Sequence, residues 1–136
     1  MATILVIDDE MSIRLLYDDV LTEEGHTVLT AESGSEGLQM LHEEPVDLVV
    51  LDIKLKSESG LDVLQRIVRQ YPGLPVVLCS AYISFQDDYT SWLAERYVVK
   101  SSDPAELLQE VNKVLEKSRQ RSTVDSGQWT VTVDEG

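Results

Sequence analysis

Asp52 closes the run Asp47-Leu48-Val49-Val50-Leu51-Asp52, where a carboxylate follows four consecutive apolar side chains. Two other apolar runs end on ionisable groups. Ile4-Leu5-Val6-Ile7 leads into Asp8-Asp9-Glu10, and Tyr97-Val98-Val99 leads into Lys100. A further run, Val76-Val77-Leu78-Cys79, leads into Ser80 and then the small Ala81. Carboxylates gathered at the ends of buried strands repel one another unless something positive lies among them. A hard divalent cation meets that need, and Mg2+ prefers one or two carboxylates plus water and phosphate oxygens. A hydroxyl and an ammonium at the same edge can hold the anionic oxygens of a phosphoryl group. Taken singly, an acid pair, a strand-end serine and a lysine are ordinary. In combination, Asp8, Asp9, Asp52, Ser80 and Lys100 describe a cation and phosphoryl site.

These residues meet only if their runs are strands of one sheet. The runs at 4–7, 47–51, 76–79 and 97–99 are continuous rather than alternating, as strands buried on both faces are. A weaker strand is expected at 27–30. Helical periodicity fills the gaps. Ile13, Leu16, Tyr17 and Val20 share one face of a first helix that Gly25 ends, and a second runs over 35–42 with Leu38 and Leu41 inward. Leu61, Leu64, Ile67 and Val68 mark a third helix, stopped near Pro72-Gly73, and 84–94 reads as a fourth. Leu107, Leu108, Val111, Val114 and Leu115 mark a long fifth, with Asp103 as N-cap and Pro104 at its first position. Five strand–helix alternations predict an α/β fold: a doubly wound, five-stranded parallel sheet with five helices on its two faces. Open sheets of this kind place their chemistry at the carboxyl ends of the strands.

The chain of 136 residues suits one well-buried domain, expected over 1–121. Residues 122–136 read as a polar tail or the start of a removed segment, containing the strand-like Gln128-Trp129-Thr130-Val131-Thr132-Val133. Hydrophobic content of 43% with 26% charged residues is that of a soluble globular protein. No apolar stretch approaches the roughly 18–20 residues of a membrane helix, and no secretory signal is evident at the N-terminus. The single Cys79 cannot form an internal disulfide and fits a reducing, cytoplasmic setting as a small core residue. Net charge is -14, and the first fifty residues carry Arg14 as their one basic side chain against twelve acids. Such a surface repels phosphates, which argues against direct nucleic acid binding and points to a basic partner, a cation or a simply solvated face.

The constellation resembles the receiver domain of two-component response regulators over roughly residues 2–120. The matching residues are Asp8-Asp9, Asp52 with Gly60 eight positions on, Ser80-Ala81, and Tyr97-Val98-Val99-Lys100. The resemblance implies a flavodoxin-like receiver fold. It implies that Asp52 takes a phosphoryl group from a phosphohistidine on a sensor histidine kinase or a histidine phosphotransfer protein. It implies that Asp9, Asp52 and the main-chain carbonyl of Lys54 ligate Mg2+, with Asp8 acting through water. Ser80, Ala81 and Lys100 would bind the phosphoryl group, and Ser80 and Tyr97 would form the switch. The fourth helix, last strand and fifth helix are the implied partner or homodimer face, with no turnover of a free substrate beyond self-dephosphorylation.

Several positions depart from the family's pattern. Ser101 follows Lys100 where a proline is usual, which bears on the conformation of that peptide bond. Leu93-Ala94 stands where glycine is usual, and Lys56 replaces a proline, which should loosen the loop after the acceptor. Lys54 and Tyr82 stand where they could crowd an attacking water and tune dephosphorylation. Two rivals follow from other classes. One is a receiver-like binding module that does not cycle phosphate. The other is an aspartyl-phosphate phosphohydrolase, disfavoured because Lys54 occupies the position of its second aspartate.

Overall fold

Continuous apolar strands need cover on both faces, and that requirement organises the molecule. The computed structural model describes residues 2–56, 58–80, 94–100 and 104–127, with side chains described up to residue 117. In chain order the elements are β1 (Thr3–Ile7), α1 (Met11–Glu23), β2 (Thr27–Ala31), α2 (Gly34–Glu43), β3 (Leu48–Asp52), β4 (Lys54–Leu55), β5 (Glu58–Ser59), α3 (Gly60–Gln70), β6 (Val76–Ser80), β7 (Arg96–Val99) and α4 (Ala105–Gly127). Strands β2-β1-β3-β6-β7 form one sheet in that order, and every ladder in it is parallel. The doubly wound five-stranded sheet is as the periodicity predicts. The expected fourth helix, over 84–94, lies outside the described residues. So do Ala81, Tyr82, the Lys100–Ser101 junction and the cap position Asp103.

Alternate residues of each strand serve opposite faces. Leu5, Ile7, Val49, Leu51, Val76 and Leu78 pack with Leu41 of α2 and with Leu61, Leu64 and Ile67 of α3. Ile4, Val6, Leu48, Val50, Val77 and Val98 pack with Tyr17 and Leu21 of α1 and with Leu107, Val111 and Val114 of α4. Each of these side chains is buried, and each contributes about 1.5–3 kcal/mol on leaving water. The hydroxyl of Tyr17 finds its partner inside the second cluster, 3.4 Å from the Cys79 sulfur. Burial, then the neighbouring thiol, raises the Tyr17 pKa, and burial pushes the Cys79 thiol up to about 11. Both are therefore neutral core groups at physiological pH.

Local signals fix the helix ends. Gly25 adopts φ 96, and the amides of Gly25 and His26 donate to the Thr22 and Leu21 carbonyls, closing α1 in a Schellman motif. Ser33 caps α2 by accepting from the Glu36 amide at 3.1 Å, and Ser59 caps α3 by accepting from Leu61 at 3.2 Å. α4 continues to Gly127, past Arg121 where its apolar periodicity stops. In the loop after the acceptor, Lys54 pairs with Ser59 and Leu55 with Glu58 in the small antiparallel ladder β4–β5, which brackets Lys56. Among the described residues no helix is long and apolar enough to cross a membrane.

Candidate functional site

Sheet order dictates where the ionisable strand ends meet. From β1 the chain passes outward to β2 and then returns to β3 on the other side of β1. The β1/β3 boundary is therefore the switch point where an open α/β sheet binds ligands beyond its strand ends. Asp8 follows β1, and Asp52 ends β3. Tyr17 apart, the polar side chains buried among the described residues are Asp8, Asp52 and Ser80, and all three lie at this edge. Burying such groups costs several kcal/mol unless they are paired. Their convergence marks a site rather than a packing accident.

The pairing comes from Lys100. Its Nζ lies 2.8 Å from Asp8 Oδ2, 3.2 Å from Asp52 Oδ2 and 3.6 Å from Glu10 Oε1. Asp8, Asp9 and Asp52 each offer a carboxylate oxygen, and these lie within 4.8 Å of one another. Three hard oxygen donors so close, two of them on buried side chains, suit a small divalent cation such as Mg2+. Asp8 is held further by its own surroundings: Oδ1 accepts from the Glu10 amide at 3.0 Å, and its carbonyl accepts from Arg14 Nη1 at 2.8 Å. Asp52 Oδ1 accepts from the Lys54 amide at 3.3 Å, which lays the Lys54 peptide against the carboxylate.

Electrostatics follow from this crowding. Burial, then the charge of Asp8, pushes the Asp52 carboxyl up to about 6, although Lys100 and the Lys54 amide pull the other way. Burial alone would lower the Lys100 pKa. Its hydrogen bond to Asp8 and the charges of Asp52 and Asp8 outweigh that and leave it raised. Asp52 is thus mostly ionised at neutral pH, but only narrowly, and added positive charge would secure it.

Ser80, fully buried at the end of β6, pairs with Val99, and its carbonyl accepts from the Lys100 amide at 2.7 Å. The side chains of Ser80 and Tyr97 share a hydrogen bond, while burial raises the Tyr97 pKa. The strand-end residues expected to meet therefore do meet, whereas Ala81 and Tyr82 lie outside the described residues. Glu10 and Arg14 also touch the cluster, and no role was read for them in the sequence. Their signal was proximity to the acid pair, together with Arg14 being the one base in the first fifty residues.

The spacing from Asp52 to Gly60 has a steric cause. The Gly60 amide donates to the Ile53 carbonyl at 2.6 Å, and a Cβ here would collide with the Asp52 carbonyl oxygen and stand 2.7 Å from Ile53 Cα. Backbone must move to admit it. Gly60→Ala is expected to cost about 2 kcal/mol of stability, as overpacked positions do. A urea midpoint unchanged from native would show that the loop yields freely.

The chain matches the family described as response regulator receiver domain over residues 4–112. It is 35% identical over 119 residues to the transcriptional regulatory protein GlrR of Escherichia coli K12, covering 86% of this chain but 27% of GlrR. The chain thus spans about a quarter of that curated relative. Among solved structures, it superposes on the response regulator TrrA of Thermotoga maritima in complex with Mg(2+)-BeF with a TM-score of 0.80 and 42% identity, covering 83% of this chain and 98% of TrrA. TrrA in complex with the histidine kinase ThkA gives a TM-score of 0.79 at 42% identity, over 85% of this chain and 99% of TrrA. The fold shared with TrrA and the family match over residues 4–112 agree: the chain belongs to the response regulator receiver domains.

Proposed function

We propose that Asp52 is the phosphoacceptor, taking a phosphoryl group from a phosphohistidine on a sensor histidine kinase or a histidine phosphotransfer protein. The observation that carries this reading is the buried Asp52 carboxylate, bridged through Lys100 to Asp8 at the switch point of the sheet. An Asp52 carboxylate oxygen attacks phosphorus as the bond from phosphorus to the imidazole nitrogen breaks. The imidazole leaves with that electron pair, and an acyl phosphate remains on Asp52. Such a transfer asks mainly for alignment and charge neutralisation, because the nucleophile is already ionised. Asp9, Asp52 and the Lys54 carbonyl would hold Mg2+, with Asp8 acting through water, and the bound ion would neutralise charge between carboxylate and donor. Lys100 and Ser80, with Ala81, would take the phosphoryl oxygens. The new charge then competes for the Ser80 hydroxyl, which Tyr97 already shares, so Ser80 and Tyr97 form the switch.

The chain is read as a signalling domain acting on itself rather than an enzyme with a free substrate. A cytoplasmic setting accords with the free, buried Cys79. The output face is the β7–α4 side with the preceding 84–94 segment, and it also serves as the homodimer face. Arg96–Glu110 at 2.9 Å and Lys117–Glu95 at 3.5 Å are ion pairs formed there within the chain. With its acidic surface, the domain does not bind nucleic acid itself; any such output belongs to a partner or an attached domain.

Intact mass after incubation with acetyl phosphate and Mg2+ tests the reading. A phosphate adduct that forms only with Mg2+ is the expected result. No adduct on folded, Mg2+-binding protein, from either acetyl phosphate or a phosphohistidine donor, would leave the non-cycling module instead. Decay of the adduct tests the tuning residues. Lys54 is exposed beside Asp52, so Lys54→Ala and Tyr82→Ala should each speed decay about threefold by admitting water. Unchanged decay in both would end the tuning role.

A further inference from the structure

Glu58 takes no part in the phosphoryl chemistry above, yet it makes a long-range contact beside it. Glu58 Oε2 accepts a hydrogen bond of 2.6 Å from the amide of Gly34, the first residue of α2. An amide at a helix start has no acceptor within the helix and sits at the positive end of its dipole, so a carboxylate is a strong partner for it. The local cap does not compete, since Ser33 Oγ serves the Glu36 amide. Close approach is built in: a Cβ on Gly34 would stand 2.9 Å from both Glu58 carboxylate oxygens, and closer still to Val63 Cγ2 on α3.

The contact continues toward the acceptor. Glu58 pairs with Leu55 and Ser59 with Lys54 in the β4–β5 ladder, and the Lys54 amide donates to Asp52 Oδ1 at 3.3 Å. A chain of bonds therefore runs from the N-terminus of α2 through Glu58 and the ladder to the acceptor carboxylate. We propose that Glu58 is a positioning residue for the phosphorylation site: its bond to Gly34 ties the loop after the acceptor to α2 and holds the Lys54 peptide against Asp52. This role rests on the reading of Asp52 as the phosphoacceptor and of the Lys54 carbonyl as a ligand of Mg2+.

The test compares native chain, Glu58→Ala, Glu58→Gln and Gly34→Ala by two readouts. One is amide hydrogen exchange at Lys54 in metal-free protein, with the Val50 amide inside β3 as reference. The other is the Mg2+ dissociation constant from calorimetric titration. Glu58→Ala and Gly34→Ala should speed Lys54 exchange about tenfold relative to Val50 and weaken Mg2+ binding about tenfold, in the range of outer-shell ligand effects. Glu58→Gln keeps an acceptor oxygen and should stay within about threefold of native. Equal acceleration at Lys54 and Val50 in Glu58→Ala marks a merely stabilising contact and overturns the proposal, as does unchanged Lys54 exchange. If Gly34→Ala fails to fold, the Glu58 pair alone decides. A native chain that binds no Mg2+ and takes no phosphate would overturn the phosphoacceptor reading instead, and the metal-free exchange at Lys54 still judges the Glu58 contact.

Discussion

Asp52→Asn is expected to abolish phosphate uptake from acetyl phosphate and, at the same time, to make the metal-free protein more stable at neutral pH. The first effect follows from removing the nucleophile, since an amide oxygen forms no acyl phosphate under these conditions. Its size is a loss of adduct below detection by intact mass. The second effect follows from linkage. The folded-state pKa of Asp52 is raised from 3.8 to about 6, so the folded chain binds this proton more tightly than the unfolded chain. Stability from that proton is fully present below about pH 4 and is lost as pH rises through about 6. At pH 7.5 the ionised carboxylate therefore destabilises the metal-free protein, and Asn relieves it by about 2 kcal/mol. Urea unfolding in chelator at pH 4 and pH 7.5 measures this. A similar gain at both pH values, or none at either, would mean that Asp52 is not strained by its neighbours. Saturating Mg2+ should reverse the order at pH 7.5, because the native carboxylate then gains a ligand that Asn holds poorly.

Lys100→Met should act in the opposite direction on the metal-free protein. The lysine side chain is 11% exposed, and among the described residues its ammonium is the cation that pairs with both Asp8 and Asp52. Methionine fills the space of the stem and leaves those carboxylates facing each other. Breaking a buried pair from one side costs about 3–5 kcal/mol, and the residual access to water places this site near the lower figure. The Asp52 pKa should rise further, since the coulombic and hydrogen-bonding help of Lys100 is lost. Added Mg2+ should restore much of the lost stability through the Asp8, Asp9 and Asp52 cluster. Denaturation midpoints of the variant with chelator and with saturating Mg2+ give the answer. A variant as stable as native in chelator would show that the acids are satisfied without Lys100.

Much of the site was readable in one dimension. A strand buried on both faces is a continuous apolar run, and an ionisable residue at its end is conspicuous because burial there is costly. Asp8, Asp52 and Lys100 each carry that signal, Ser80 only the weaker one of a strand-end hydroxyl, and the structure brings all four to one edge. Residues acting through backbone or through long side chains gave no such signal. Glu58 sits in a polar loop, where an acid is commonplace, and Arg14 lies on a helix as an ordinary surface base. The β4–β5 ladder that brackets Lys56 is likewise encoded by no local rule.

The sequence alone determined the alternation of strand and helix, the kinds of side chain at the strand ends and hence the class of chemistry. These depend on neighbours along the chain, through periodicity and the cost of burial. Tertiary structure alone decided that Lys100 stands between Asp8 and Asp52, that burial lifts the Asp52 carboxyl toward neutrality, and that Gly60 must lack a side chain because the Asp52 carbonyl occupies its place. Those facts are distances between residues remote in sequence. They are set by strand order and register, which arise only when the whole sheet closes its two cores.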